Sequence, residues 1–135
     1  MVDAAAAAAR WAAAWKQGWE GLDPEPIVAC YGADAVLSTE PFRDPYRGRD
    51  GVREYVTRVL AEEADPRVWM SEPIVAGRRA AISWWASLRE NGIDMTLAGT
   101  SVLRFDPAGM VVYQWDAWNQ RAERGEPPPD GPFGR

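Results

Sequence analysis

The second half of the chain contains four runs rich in β-branched and aromatic residues, each followed or preceded by a short turn signal. The runs are VWMSEPIVA (68–76), AAISWWASLRE (80–90), DMTLAGTSVLRF (94–105) and MVVYQWDAWN (110–119). The segments between them, GRR, NGI and DPAG, favour tight turns, and Asn91 followed by Gly92 is a strong hairpin signal. Because strands joined by tight turns pair antiparallel, these runs predict an antiparallel meander.

The first half of the chain predicts three helices with one short strand among them. Asp3 can cap a first helix that runs to about Trp19, since apolar residues recur there at helical spacing. Asp23 and Pro24 open a short second helix, DAVLST (34–39) is a brief strand, and a third helix from Asp50 is closed by Pro66. Helices followed by an antiparallel meander indicate an α+β domain.

Composition limits the binding partners and the kinds of catalytic chemistry that we expect of this chain. The chain has 135 residues and a net charge of −5 without a basic run, so we expect one domain and no nucleic-acid partner. Neither a signal peptide nor a membrane span fits the sequence, and a cytoplasmic protein is the default expectation. One cysteine and no histidine argue against an internal disulfide, a Cys/His zinc site and a histidine-activated nucleophile. We predict a domain over residues 1–122 and a flexible Pro- and Gly-rich tail over 123–135.

The motifs of residues 4–120 together resemble the nuclear transport factor 2-like superfamily, and in particular its SnoaL-like branch of polyketide cyclases, ketosteroid isomerases and limonene epoxide hydrolases. The segments that carry the resemblance are the Trp-rich first helix, DPEPIVACYGADAVL, PFRDPYRGRDGVREYV, EPIVAGRRAAISWW and LAGTSVLRFDPAGMVVYQWDAWN. It implies three helices packed in the concave face of a curved antiparallel sheet, the cystatin-like cone, which is open at one end to an apolar ligand. It also implies a homodimer formed through the outer sheet face. We expect chemistry without a cofactor and without a metal.

The resemblance also indicates catalytic residues. Epoxide hydrolases and SnoaL-type cyclases carry an acid–base aspartate on the final strand, within an aromatic segment like YQWDAWN, and this position is Asp116. The base of the ketosteroid isomerases falls at or beside Glu40, whereas their two oxyanion-binding groups fall at Trp11 and Ser101. Because the acid pair is replaced, steroid isomerisation is not expected. The Arg and Asp pair of the epoxide hydrolases has no counterpart in ISWWASL, so their complete triad is not expected either.

Strand alternation groups Val112 and Gln114 with Asp116 and Trp118 on one face, which the resemblance places inside the cone. With the helices, the predicted substrate-binding residues are Trp11, Tyr31, Tyr55, Trp84, Ser101, Gln114 and Trp118. Alternatives stay open: Asp116 hydrogen-bonds a neighbouring hydroxyl or pairs with an arginine such as Arg10, and Glu40 is a solvated loop residue. The helical stripe of Trp11, Trp15 and Trp19 packs in the core rather than against a ligand, and Trp85 is a dimer contact or a partly exposed aromatic residue.

These residues favour an enzyme that acts on a small, largely apolar, oxygenated molecule by proton transfer. Isomerisation, aldol-type cyclisation, dehydration and epoxide opening are all compatible with them. The alternative is a non-catalytic ligand-binding or dimerisation module of the same fold.

Overall fold

The computed structural model describes residues 3–133, which form three helices and a curved sheet of seven strands. The helices are α1 (Ala4–Glu20), α2 (Glu25–Val28) and α3 (Gly48–Ala61). The strands are β1 (Tyr31–Ser38), β2 (Tyr46–Arg47), β3 (Glu63–Met70), β4 (Ile74–Ala76), β5 (Arg79–Glu90), β6 (Ile93–Phe105) and β7 (Val111–Arg121). The α+β class and the order of three helices before a run of paired strands are confirmed. The second strand before α3, β2, and the division of residues 68–76 between β3 and β4 differ from the expectation.

The sheet has the strand order β2-β1-β7-β6-β5-β3, and β4 pairs with β5. The pairs along β3, β5, β6 and β7 are antiparallel, as the meander predicts. Strand β1, however, pairs with β7 in parallel, so the sheet is mixed rather than wholly antiparallel. A tight turn sets the direction of a strand relative to its neighbour in sequence, whereas β1 meets a partner at the other end of the chain. No local signal therefore indicated this pairing.

Helix α1 lies against the concave face of the sheet. Its first turn is capped as expected, because Asp3 Oδ1 accepts a hydrogen bond from the Ala5 amide at 2.9 Å. Ala8, Trp11 and Trp19 are buried on the face that meets the sheet. Helical spacing thus brings a stripe of tryptophans into the interior of the cone.

Helix α3 ends earlier than the sequence predicts. We expected Pro66 to close it, but Glu62 is already its C-cap and Glu63 begins β3. The pairing of β3 with β5 is irregular between Ala64 and Arg67, which places Pro66 in a bulge that needs no amide from it. Glu63 is consequently a strand residue.

The inward faces of β5, β6 and β7 follow strand alternation, and Gln114, Asp116 and Trp118 share the concave side. One detail differs from the expectation. The β6–β7 register shifts between Arg104 and Phe105, whose partners are Tyr113 and Val111, so Val112 is bulged out of the ladder. Val111 rather than Val112 is therefore buried at the start of β7.

Residues 122–133 contain neither helix nor strand and lie against the outer face of the sheet. Trp85 Nε1 donates to the Gly125 carbonyl at 2.8 Å, and the Trp85 ring contacts Phe133 edge-on at 6.2 Å between centroids. The Arg124 guanidinium donates to the hydroxyl and the carbonyl of Ser87. The domain boundary and the flexibility of the tail stay predictions, and its last two residues lie outside the described part. None of the described helices combines the length and the apolar character that a membrane span needs.

Candidate active site

A cavity of about 260 Å³ opens between the helices and the concave face of the sheet. Exposed side chains surround its mouth, whereas its inner wall is formed by buried residues. The aromatic residues that line it are Trp11, Trp15, Trp19, Tyr55, Trp84 and Trp118. Of the seven substrate-binding residues predicted from the sequence, six line this cavity, and Tyr31 does not.

Asp116 lies on the inner wall of the cavity with only 7% of its surface exposed. Its Oδ1 atom accepts two hydrogen bonds, from Ser101 Oγ at 2.6 Å and from Gln114 Nε2 at 2.9 Å. Its other carboxyl oxygen accepts no hydrogen bond from residues 3–133. Every fully buried side-chain oxygen or nitrogen in that range has a partner, so this oxygen is not fully buried. That oxygen is therefore open to the cavity. Arg10 donates to the Gly109 carbonyl at 2.7 Å instead, so the alternative of an Arg10–Asp116 pair is wrong.

Burial raises the pKa of Asp116 from 3.8 to about 6, because desolvation disfavours the charged form. The hydrogen bonds from Ser101 and Gln114 act in the opposite direction, since they favour the carboxylate. Desolvation is the larger effect. The carboxyl group can thus exchange a proton near neutral pH.

A hydrogen-bond network behind Asp116 fixes its orientation. The indole nitrogens of Trp11 and Trp15 donate to the Tyr31 hydroxyl at 3.1 and 3.0 Å, and Tyr31 in turn donates to Gln114 Oε1. Trp11 also donates to Gln114 Oε1, and an indole N–H can only donate, so the amide oxygen must face Trp11. The amide nitrogen is left to donate to Asp116. Tyr31, fully buried, therefore supports the site from behind.

Ser101 joins Asp116 to the aromatic wall. Its hydroxyl donates to Asp116 and accepts a hydrogen bond from Trp84 Nε1 at 3.0 Å, which directs the hydroxyl proton to the carboxylate. Trp118 Nε1 is held by the Thr39 carbonyl at 2.8 Å. The positions of the aromatic side chains are thus set by their own hydrogen bonds as well as by packing.

Glu40 lies at the mouth of the cavity and not inside it. Its side chain is 48% exposed and forms an ion pair with Arg43 at 3.4 Å. This is the arrangement of a solvated loop residue, the alternative that the sequence left open. Tyr55 lines the cavity from α3 and stacks against Tyr46 at 5.0 Å between centroids, and burial raises the pKa of its hydroxyl.

The cavity wall contains a second buried carboxyl group, and the sequence did not indicate this residue. Glu63 is 7% exposed, and its Oε1 atom accepts a hydrogen bond from Trp19 Nε1 at 2.7 Å. Burial raises its pKa from 4.5 to about 7, against the effect of the Trp19 hydrogen bond, and the nearby carboxylates of Glu90 and Glu62 raise it further. In the sequence Glu63 is one of two glutamates at a predicted helix end, and spacing does not distinguish it from the exposed Glu62. No group of three or more potential metal ligands lies together in residues 3–133.

The fold matches several solved structures. A Mycobacterium tuberculosis protein superposes with a TM-score of 0.74 at 16% identity, over 85% of this chain and 95% of the other. The epoxide hydrolase/cyclase-like enzyme SalBIII of pyran ring formation in the polyether salinomycin gives 0.69 at 16% identity, over 81% and 88%. An NTF2-like protein of unknown function from an Exiguobacterium species gives 0.70 at 14% identity, over 84% and 98%. At these identities the similarity concerns the fold, which is that of the nuclear transport factor 2-like proteins.

The family follows from the sequence itself. The SnoaL-like domain matches residues 8–114, which is most of the chain, and the protein therefore belongs to the SnoaL-like family. None of the curated proteins matches this chain in sequence.

Proposed function

We propose that the protein is a SnoaL-like catalyst that binds a small, largely apolar, oxygenated molecule in the cavity and transfers a proton at Asp116, without a cofactor. The observation that carries this proposal is a buried carboxyl group with one oxygen held by two donors and the other open to the cavity. A purely structural aspartate would gain from satisfying both oxygens, because burial of a carboxylate is costly.

The pKa of about 6 suits either direction of proton transfer. As a base, the carboxylate takes a proton from a carbon beside a carbonyl group or from a water molecule. As an acid, the protonated form donates to a carbonyl or epoxide oxygen. Isomerisation, aldol-type cyclisation, dehydration and epoxide opening all contain such a step, and they differ in the substrate rather than in this residue.

The sequence indicated two catalytic residues, Asp116 and Glu40. The proposal assigns the proton transfer to Asp116 only. Glu40 is exposed and paired with Arg43, so it has neither the desolvation nor the position inside the cavity that would tune it. The other predicted binding residues have distinct parts. Ser101 and Gln114 hold the carboxyl group, and the tryptophans and Tyr55 provide apolar surface for the substrate.

A panel of apolar ketones, enols and epoxides, followed by mass spectrometry of the products, tests the proposal. We expect Asp116→Asn to lower the rate of any turnover by about 100-fold or more, the usual contribution of a positioned acid or base. Glu40→Gln is the matched control, because it removes a carboxyl group at the mouth of the cavity. It should leave the rate nearly unchanged.

The rival function is a non-catalytic ligand-binding module, which the open cavity supports equally well. It predicts that ligands of the same panel bind and are recovered unchanged, with both variants. Turnover that persists in Asp116→Asn would show that another group transfers the proton.

A further inference from the structure

Two buried carboxyl groups face the cavity without a cationic partner. Asp116 is held by Ser101 and Gln114, and Glu63 by Trp19. Each residue is 7% exposed, and the hydrogen bonds from residues 3–133 reach only one oxygen of each carboxyl group. Because every fully buried side-chain oxygen there has a partner, the second oxygens are not fully buried. A buried carboxylate is normally paired with a positive group, because the attraction offsets the cost of desolvation. Proton transfer at Asp116 does not explain why Glu63 lacks a cationic partner.

The tryptophans of the cavity wall offer a ligand carbon surface and no free hydrogen-bond donor. The N–H groups of Trp11 and Trp15 are engaged by Tyr31, that of Trp19 by Glu63 and that of Trp84 by Ser101. The Trp118 N–H is engaged by a backbone carbonyl. An anionic ligand thus finds no indole donor here, whereas a cation finds aromatic rings and carboxylate oxygens together, the combination that binds organic ammonium ions.

The charges at the mouth favour the same ligand. Three glutamates and two arginines line it, and Arg43 is paired with Glu40. Arg58 donates to the Tyr46 hydroxyl and lies over the Tyr46 ring. The carboxylates of Glu62 and Glu90 have no ion-pair partner in the described part of the chain. Three glutamates against two arginines leave an excess of one negative charge at the mouth, which favours cations over anions.

We propose that the cavity binds an organic ammonium ion with an apolar body, and that the Glu63 carboxylate and the surrounding indole rings hold its cationic group. The inference rests on the proposed function in one respect: it takes the cavity that contains Asp116 as the place where the substrate binds. It adds the chemical class of the ligand and a binding role for Glu63.

Binding of a cation in this position is linked to protonation. The cation interacts favourably with the carboxylate forms, and Glu63 and Asp116 have pKa values of about 7 and about 6. Affinity should therefore be highest above the pKa of Glu63 and fall as the pH drops through about 7 and then about 6.

Other charged groups do not provide an internal cation for Glu63. Glu62 and Glu90 are acidic, Arg58 on α3 is engaged at Tyr46, and Lys16 on α1 is bound by Glu20 and the Val68 carbonyl. A neutral ligand has no such linkage, so the pH dependence separates the two classes of ligand.

Two probes of the same shape test the inference: trimethylphenylammonium and its neutral isostere tert-butylbenzene, titrated by tryptophan fluorescence. At about pH 8 we expect the cation to bind at least about tenfold more tightly, and at about pH 5 the preference should be lost. Glu63→Gln should weaken cation binding at about pH 8 by about tenfold and leave the neutral probe unaffected. Glu72→Gln, an exposed glutamate outside the cavity, is the control and should change neither affinity.

Equal or tighter binding of tert-butylbenzene, a cation affinity that does not change with pH, or no binding of either probe would overturn the inference. If Glu63→Gln does not fold, the comparison of the two probes at two pH values on the natural chain decides. The proton transfer at Asp116 is tested separately, since its assay uses neutral ketones and epoxides and the Asp116→Asn variant. A failure of one proposal is thus distinguishable from a failure of the other.

Discussion

Replacement of Asp116 by asparagine should make the protein more stable at neutral and alkaline pH. Asparagine keeps an oxygen that can accept the hydrogen bonds from Ser101 and Gln114, and it removes the charge that burial disfavours. The pKa of Asp116 is raised from 3.8 in the unfolded chain to about 6 in the fold, a shift of roughly two units. At about 1.4 kcal/mol per unit, ionised Asp116 lowers the free energy of unfolding by about 3 kcal/mol.

The pH dependence of this effect has a definite sign. Well below 3.8 the carboxyl group is protonated in both states and costs no stability. Between 3.8 and about 6 the unfolded chain loses the proton first, so stability falls as the pH rises, and above about 6 the full cost is present. The difference between Asp116→Asn and the natural chain should therefore grow from about 0.5 kcal/mol at about pH 4 to about 3 kcal/mol at about pH 8.

Urea denaturation at these two pH values measures the difference, and carboxyl NMR of Asp116 gives its pKa directly. Glu40→Gln serves as the control, because an exposed loop residue should change stability by less than about 0.5 kcal/mol at either pH. The reasoning is refuted if Asp116→Asn is equally or less stable than the natural chain at about pH 8, or if Asp116 titrates at or below its ordinary value.

Three further changes test the packing. Gly99→Ala should cost about 1–3 kcal/mol in urea melts, because the new Cβ would lie 2.5 Å from the Ala117 carbonyl oxygen, which the sheet holds in place; an unchanged midpoint would contradict this close approach. Deleting 123–135 removes the Arg124 hydrogen bonds to the sheet and should cost about 2 kcal/mol, whereas no loss would support the flexible tail indicated by the sequence. We also propose the homodimer through the outer sheet face: light scattering should give twice the monomer mass at micromolar concentration, and Val102→Asp, at a residue 42% exposed on that face, should give a monomer. A monomeric natural chain would exclude the dimer.

Features that depend on local spacing could be predicted from the sequence. Strand periodicity placed Gln114, Asp116 and Trp118 on one face, and helical spacing placed Trp11, Trp15 and Trp19 on one side of α1. All six residues line the cavity. These predictions depend only on the geometry of a strand and of a helix, which is the same in every protein. The order of helices and strands was sufficient for the α+β class and for the antiparallel meander, because the hairpins between consecutive strands are closed by local turns.

Contacts between residues that lie far apart in the chain could not be predicted from local patterns. The parallel pairing of β1 with β7, the contact of Trp85 with the tail and the burial of Glu63 beside Trp19 each join segments that are far apart in sequence. Local pattern did not distinguish Glu63 from Glu62, since one residue of difference in where α3 ends determines which of them is buried beside Trp19. The pKa values of the two cavity carboxyls have the same origin. They are set by desolvation, and desolvation depends on what the rest of the fold places around a side chain.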